Sequence, residues 1–272
     1  MSCPRFWSKA SPLPARDLAL LTEAAKAAGE IARRFWRQRP EVWDKPGGAG
    51  PVTEADLAVN AMLHAELGSA RPDYGWLSEE TPDDPARLGQ SRSFIVDPID
   101  GTRAFIDGDT SFAHSLAVAE EGAITAAVVY LPMKDALYAA TQGGVAMLNG
   151  QPIRASARTR TDGATLLTSK PSLAPAHWKN GTPPPFRREF RASLAWRLCL
   201  VAEGRFDAML TLRPTWEWDI AAGDLIARQA GARVTDRAGR AIAYNTPVPQ
   251  AAGVIAAPEA LWRDLQGALV GA

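Results

Sequence analysis

Between Ala15 and Arg39 apolar residues recur at intervals of three and four, at Leu18, Leu21, Ala25, Ala28, Ala32 and Phe35, and Pro40 closes the run. That period predicts an amphipathic helix. The glycine- and proline-rich stretch Lys45–Pro51 breaks all regularity. A second helix is predicted from Thr53 to about Leu67, opened by capping-box spacing between Thr53 and Asp56, with Leu57, Leu63 and Leu67 on its buried side. Ser93 to Val96 is a short apolar run between polar residues, so it reads as a buried strand ending at Asp97-Pro98. Ser115 to Ala119 and Ile124 to Tyr130 flank Glu120–Ala123, and Ala136 to Ala140 and Val145 to Leu148 flank Gln142-Gly143-Gly144. These pairs predict two successive hairpins of an antiparallel meander. Leu194 to Glu203, Asp219 to Ala230 before Gly231, and Pro258 to Leu269 read as helices, and Ala208 to Leu212 as a strand. The proline-rich segment from Pro171 to Pro185 reads as a loop. Helical and strand-rich blocks alternate without internal repeat, which predicts a layered α/β architecture.

Composition narrows the class. The 272 residues are 46% hydrophobic and 22% charged, ordinary for a globular chain long enough for one large domain or two modest ones. Lys plus Arg and Asp plus Glu each number 30, so no net field exists to grip nucleic acid or an anionic membrane. Cys3 and Cys199 stand far apart without companion motifs, and Met1 to Arg16 has no apolar core of signal-peptide length. The expectation is a cytoplasmic protein with no membrane and no nucleic-acid partner. His64, His114 and His177 share no ligand spacing, so any metal should be a hard cation held by oxygen.

The chemistry concentrates in Ile95-Val96-Asp97-Pro98-Ile99-Asp100-Gly101-Thr102, where a strand delivers two carboxylates three residues apart and then a glycine and a threonine. Two readings stand side by side: Asp100 caps a following helix through its side chain, or the turn offers cation ligands together with helix-start N–H groups for an anion. Further acids occur at Thr53-Glu54-Ala55-Asp56, Leu77-Ser78-Glu79-Glu80 and Trp216-Glu217-Trp218-Asp219. Taken singly, each has a structural explanation in helix-dipole or solvated-loop preference. Their joint occurrence favours a site.

With these residues the chain resembles the inositol monophosphatase superfamily of magnesium-dependent, lithium-sensitive phosphatases. Its two signatures are similar to Phe94–Phe105 and Trp218–Ile226, and its supporting elements to Pro51–Asp56 and Leu77–Glu80, all in the family's order. The resemblance implies a layered αβαβα sandwich: an N-terminal half, residues 1–165, with an antiparallel sheet and most metal ligands, and a C-terminal half, 166–272, with Asp219 and the substrate-selecting region. It implies that Glu79, Asp97 and the Ile99 carbonyl bind one Mg²⁺, that Asp97, Asp100 and Asp219 bind a second, and that a third, weaker ion joins them. Thr102 and Asp56 would orient and deprotonate the attacking water, and the N–H groups of Gly101 and Thr102 would hold phosphate oxygens. A homodimer is common in the family. A haloacid-dehalogenase reading fits less well, because there the two aspartates stand two apart rather than three with a proline between. No Walker-type loop occurs.

For the substrate, a small phosphate monoester, Pro214-Thr215-Trp216-Glu217-Trp218-Asp219 is similar to a string of 3'(2'),5'-bisphosphate nucleotidases. The acid that inositol monophosphatases carry near Thr211 and Leu212 is missing, whereas Arg103 departs from both branches. A bisphosphate nucleotidase is therefore expected, with inositol-1-monophosphatase and histidinol-phosphate phosphatase as alternatives and a transcription-machinery interaction module as the non-enzymatic one. Lys170, Lys179, Arg187, Arg188 and Arg191 form a basic group that suits a solvated loop better than a second phosphate site. Trp216 and Trp218 are expected to pack the core rather than to stack on a ligand.

Overall fold

The computed structural model describes residues 12–48 and 50–271, so Cys3 and most of the Met1–Arg16 stretch lie outside the described residues. The chain begins α1 (Leu13–Phe35), β1 (Val42–Asp44), β2 (Pro51–Thr53), α2 (Glu54–Ala70), β3 (Gly75–Ser78), β4 (Arg92–Asp100) and α3 (Thr102–Ile106). It continues β5 (Ala113–Glu120), β6 (Ala123–Leu131), β7 (Ala136–Thr141), β8 (Met147–Leu148), β9 (Gln151–Pro152), β10 (Thr165–Thr168), β11 (Arg187–Glu189) and α4 (Leu194–Ala202). It ends β12 (Ala208–Thr211), β13 (Thr215–Trp216), α5 (Glu217–Gln229), β14 (Arg233–Thr235), β15 (Gln250–Ala251), β16 (Val254–Ala257) and α6 (Glu259–Ala268).

Strands β3 to β9 form a seven-stranded sheet in chain order, β3 parallel to β4 and the rest antiparallel. A five-stranded sheet has the order β11-β10-β12-β16-β14. The two-residue period of a strand sorts side chains into layers. On β5, Leu116 and Val118 join Leu21, Ala25 and Leu63 of α1 and α2, whereas Ala117 and Ala119 join Leu198 of α4 and Leu225 of α5. On β12, Leu210 packs with Leu261 and Trp262 of α6 while Met209 belongs to the middle layer. The layers therefore run α1/α2, seven-stranded sheet, α4/α5, five-stranded sheet, α6, which is the expected αβαβα sandwich. Each fully buried leucine in these clusters contributes about 1.5–3 kcal/mol.

Local expectations are corrected at four places. Helix α1 stops at Phe35 rather than Arg39, since Arg37 and Arg39 take positive φ (60° and 53°) and the residue before Pro40 disfavours helix. Strand β4 does not end at Asp97-Pro98 but runs to Asp100, because the missing Pro98 N–H falls inside a register shift between Asp97 and Asp100. Leu57 is 43% exposed: Ala55, Val59, Leu63 and Leu67, four residues apart, carry the buried side, and Leu57 lies off that stripe. Val145 is also exposed, and β8 starts only at Met147. Residues Pro171–Pro185 hold two short 3-10 turns, in keeping with a loop.

Candidate metal centre and active site

Strands β3 and β4 pair Ser78 with Val96, and the Glu79 N–H extends the pairing by donating to the Val96 carbonyl at 3.2 Å. Glu79 thus leaves its strand beside Asp97. Asp97 lies opposite Ser115 of β5, whose Oγ donates to the Trp218 carbonyl at 2.9 Å. That bond seats the first turn of α5, and with it Asp219, over the same strand end. Carboxylate oxygens of Glu79, Asp97 and Asp219 come within 4.8 Å of one another.

Asp97 is 1% exposed, yet neither of its carboxylate oxygens has a hydrogen-bond partner among the described residues. A buried polar group left so costs about 1–3 kcal/mol, and more when charged. Oxygen donors of three acids around such a group fit a hard divalent cation. Asp100, expected beside them, is not within that trio. Its Oδ2 accepts from Ser193 Oγ at 2.6 Å and from the Ala195 N–H at 2.7 Å, so one of its oxygens anchors the start of α4. The N-cap of α3 is Gly101, without a side-chain cap, so the capping role open to Asp100 is exercised on a different helix. Gly101 has φ 102°, and a Cβ there would meet the Ser111 carbonyl oxygen at 3.2 Å.

The capping box opening α2 is present: Asp56 Oδ2 accepts from the Thr53 N–H at 2.9 Å, and the Thr53 hydroxyl accepts from the Asp56 N–H at 3.3 Å. It turns Asp56 inward, where Oδ1 lies 3.1 Å from Thr102 Oγ1. The same hydroxyl is 3.1 Å from the Ile99 carbonyl, so one proton lies between two acceptors. On the far side of the register shift the buried His114 contacts the Pro98 carbonyl through Nδ1. A carbonyl can only accept, so Nδ1 carries the hydrogen; burial pushes this imidazole down to about 4 and keeps it neutral.

Electrostatics make the cluster unfavourable without cations. Burial, then Glu79, Asp100, Asp219 and Asp56, pushes Asp97 well above the ordinary carboxylate range. Burial, Asp100 and Glu79 do the same to Asp219 while Arg213 opposes them. Burial lifts Asp100 to about 6 against the bonds from Ser193 and Ala195, and it also raises Asp56. Each is a shift that a bound dication would reverse.

Sequence reasoning missed Lys45. Its Nζ lies 2.6 Å from Glu79 Oε1 and 2.6 Å from Glu80 Oε1, bringing a cation from the β1–β2 arm into the acids. Burial still lifts the Glu80 carboxyl to about 7, partly offset by Lys45. The only signal in the sequence was the loss of regularity around it. Ser193, which donates to Asp100, was missed too, having no motif of its own. The basic group does not converge on one point: Lys179 Nζ donates to the Gly267 carbonyl, Arg188 to the Thr168 carbonyl, and Arg191 pairs with Glu189.

Comparison with known proteins agrees with this geometry. The profile of the inositol monophosphatase family matches residues 15–271. An inositol-1-monophosphatase of Rhizobium meliloti is 38% identical over 223 residues, covering 79% of this chain and 82% of that one. A histidinol-phosphatase of Chlorobaculum parvum is 30% identical over 258 residues, covering 93% and 96%. The crystal structure of extragenic suppressor protein suhB from Bartonella henselae superposes with a TM-score of 0.79 at 31% identity, covering 93% of this chain and 97% of that one. The sandwich and its acidic seam define a phosphoric monoester hydrolase. The chain belongs to the inositol monophosphatase family. The named relatives are not bisphosphate nucleotidases, so they do not support that finer expectation. No helix among the described residues is long and apolar enough to cross a membrane.

Proposed function

We propose that the chain is a Mg²⁺-dependent phosphomonoesterase in which water attacks a small phosphate monoester, and that this ester is a 3'(2'),5'-bisphosphate nucleotide such as adenosine 3',5'-bisphosphate. The observation that carries the metal reading is Asp97, buried with two unpartnered oxygens beside Glu79 and Asp219. Glu79, Asp97, the Ile99 carbonyl, Asp100 and Asp219 would hold two ions, with a third, weaker one nearby. When bound, Mg²⁺ would neutralise the phosphate and acidify water.

The remaining work falls to the protein. Thr102 Oγ1, between Asp56 and the Ile99 carbonyl, orients the water and relays its proton toward Asp56. Burial makes that carboxylate more basic than a solvated one, which suits a proton acceptor. The N–H groups of Gly101 and Thr102 hold phosphate oxygens in the turn that only glycine fits comfortably.

Two observations support the nucleotide: the string Pro214–Asp219, and the absence of an acid at Thr211 and Leu212, both buried at the end of β12. Inositol 1-phosphate is the second reading, favoured by the Rhizobium meliloti relative. Phosphate release with and without Mg²⁺ from adenosine 3',5'-bisphosphate, inositol 1-phosphate and histidinol phosphate decides between them. Preference for the bisphosphate is expected. Preference for either of the others overturns the choice of ester, and no Mg²⁺-dependent release from any overturns the whole reading.

A further inference from the structure

Trp216 and Trp218 stack, with ring centroids 4.7 Å apart and planes 10° from parallel. Trp218 behaves as expected, packing against the core between the sheets. Trp216 does not: it is 40% exposed, one face resting on Trp218. A large indole is thus left partly open to solvent on a neighbour that packs against the core.

Its position is set from several sides. Pairing of β13 with β15 places Trp216 opposite Gln250. The next residue, Glu217, is buried and accepts from the Asn245 N–H at 2.6 Å and from the Thr246 N–H at 3.1 Å. Trp216 is the N-cap of α5 and Asp219 stands in its first turn, so the Trp216 backbone is fixed at the same helix start as one of the clustered acids. The indole therefore projects from the helix start that also carries Asp219. Arg213, three residues earlier, is exposed, and its guanidinium makes no hydrogen bond or ion pair among the described residues.

We propose that the open face of Trp216 is a stacking platform for a planar aromatic leaving group, and that Arg213 pairs with a second anionic group on that leaving group. This rests on the phosphomonoesterase reading and assigns it two specificity-determining residues. Nothing planar is needed by a polyol phosphate, so the platform discriminates between ester classes. A base stacked on an aromatic side chain is worth enough to move selectivity by about tenfold or more.

The test compares kcat/KM for adenosine 3',5'-bisphosphate, adenosine 3'-phosphate and glycerol 2-phosphate in the wild type, Trp216→Leu, Trp216→Phe and Arg213→Gln. Leucine keeps an apolar cover over Trp218 without a π face, and phenylalanine keeps both. The expected result is an about tenfold fall in the adenosine 3'-phosphate to glycerol 2-phosphate ratio in Trp216→Leu, largely restored in Trp216→Phe. Arg213→Gln should lower the ratio of bisphosphate to adenosine 3'-phosphate. Ratios within twofold of wild type in Trp216→Leu and Arg213→Gln overturn the proposal. If the wild type releases phosphate from no ester, the phosphomonoesterase reading fails. The platform is then judged by tryptophan quenching on titration with adenosine 3',5'-bisphosphate and Mg²⁺ in an Asp56→Asn background. Saturable quenching that Trp216→Leu abolishes supports the platform, and its absence in the parent overturns it.

Discussion

Replacing Asp97 by Asn removes one carboxylate and almost no volume from a fully enclosed point of the acidic cluster. In the metal-free protein the charge is a liability, being buried, unpartnered and surrounded by Glu79, Asp100, Asp219 and Asp56. The new amide is also unsatisfied, at about 1–3 kcal/mol, and relief of buried repulsion offsets it. The metal-free melting temperature of Asp97→Asn should therefore equal or exceed that of the wild type. Mg²⁺ separates the two proteins. A ligand at a hundred times its Kd stabilises the native state by about 2.7 kcal/mol, or about 5–10 °C for a chain of this size. The wild type should show that rise, and Asp97→Asn should lose most of it. Turnover should fall at least about a thousandfold, roughly 4 kcal/mol of transition-state stabilisation. Scanning calorimetry with and without Mg²⁺, alongside phosphate release, reads all three quantities. A Mg²⁺-induced rise as large as that of the wild type would refute the reasoning, as would a metal-free melting temperature lower by more than about 4 °C.

Asp56→Asn and Thr102→Ala should each lower kcat by about 10²–10³-fold while keeping the thermal shift with Mg²⁺, since both act on the proton rather than on the ions; loss of that shift would contradict the division of labour. Lys45→Ala should tighten the Mg²⁺ half-saturation in activity assays severalfold, because Lys45 competes for the Glu79 oxygen, and an unchanged or weaker value would count against it. Raised carboxyl pKa values mean that the metal-free fold holds protons more tightly than the unfolded chain. Asp100 moves from 3.8 to about 6 and Glu80 from 4.5 to about 7, so their favourable contribution is present below about pH 4 and lost by about pH 7. The buried His114, lowered from 6.5 to about 4, offsets part of this fall below about pH 6, so chemical denaturation of metal-free protein should show stability falling most clearly between about pH 6 and 7, and a rising profile there would be inconsistent with the burial of these acids.

The layers were legible because they follow from short-range periodicity: period two on β5 and β12 and near-four spacing on α1 and α2 each state which residues share a face. What escaped was decided by register. Pro98 read as a strand end because a proline cannot donate to a ladder, yet it sits where β4 and β5 slip past one another and no donor is needed. Across the same slip the two aspartates take different partners: Asp97 lies unpartnered with Glu79 and Asp219, while one oxygen of Asp100 accepts from Ser193 and Ala195. A spacing of three along the chain could not distinguish these fates, since it lacks the partner strand. Lys45 is the opposite case, 34 residues from Glu79 in sequence and 2.6 Å from it in space, with no local pattern linking them. Trp216 and Trp218 show the limit most sharply. Two identical side chains two residues apart straddle the start of α5, and the turn packs one, half-buried, against the core while leaving the other exposed upon it. Composition treats them alike; only the helix start, fixed by Glu217 and its contacts with Asn245 and Thr246, tells them apart.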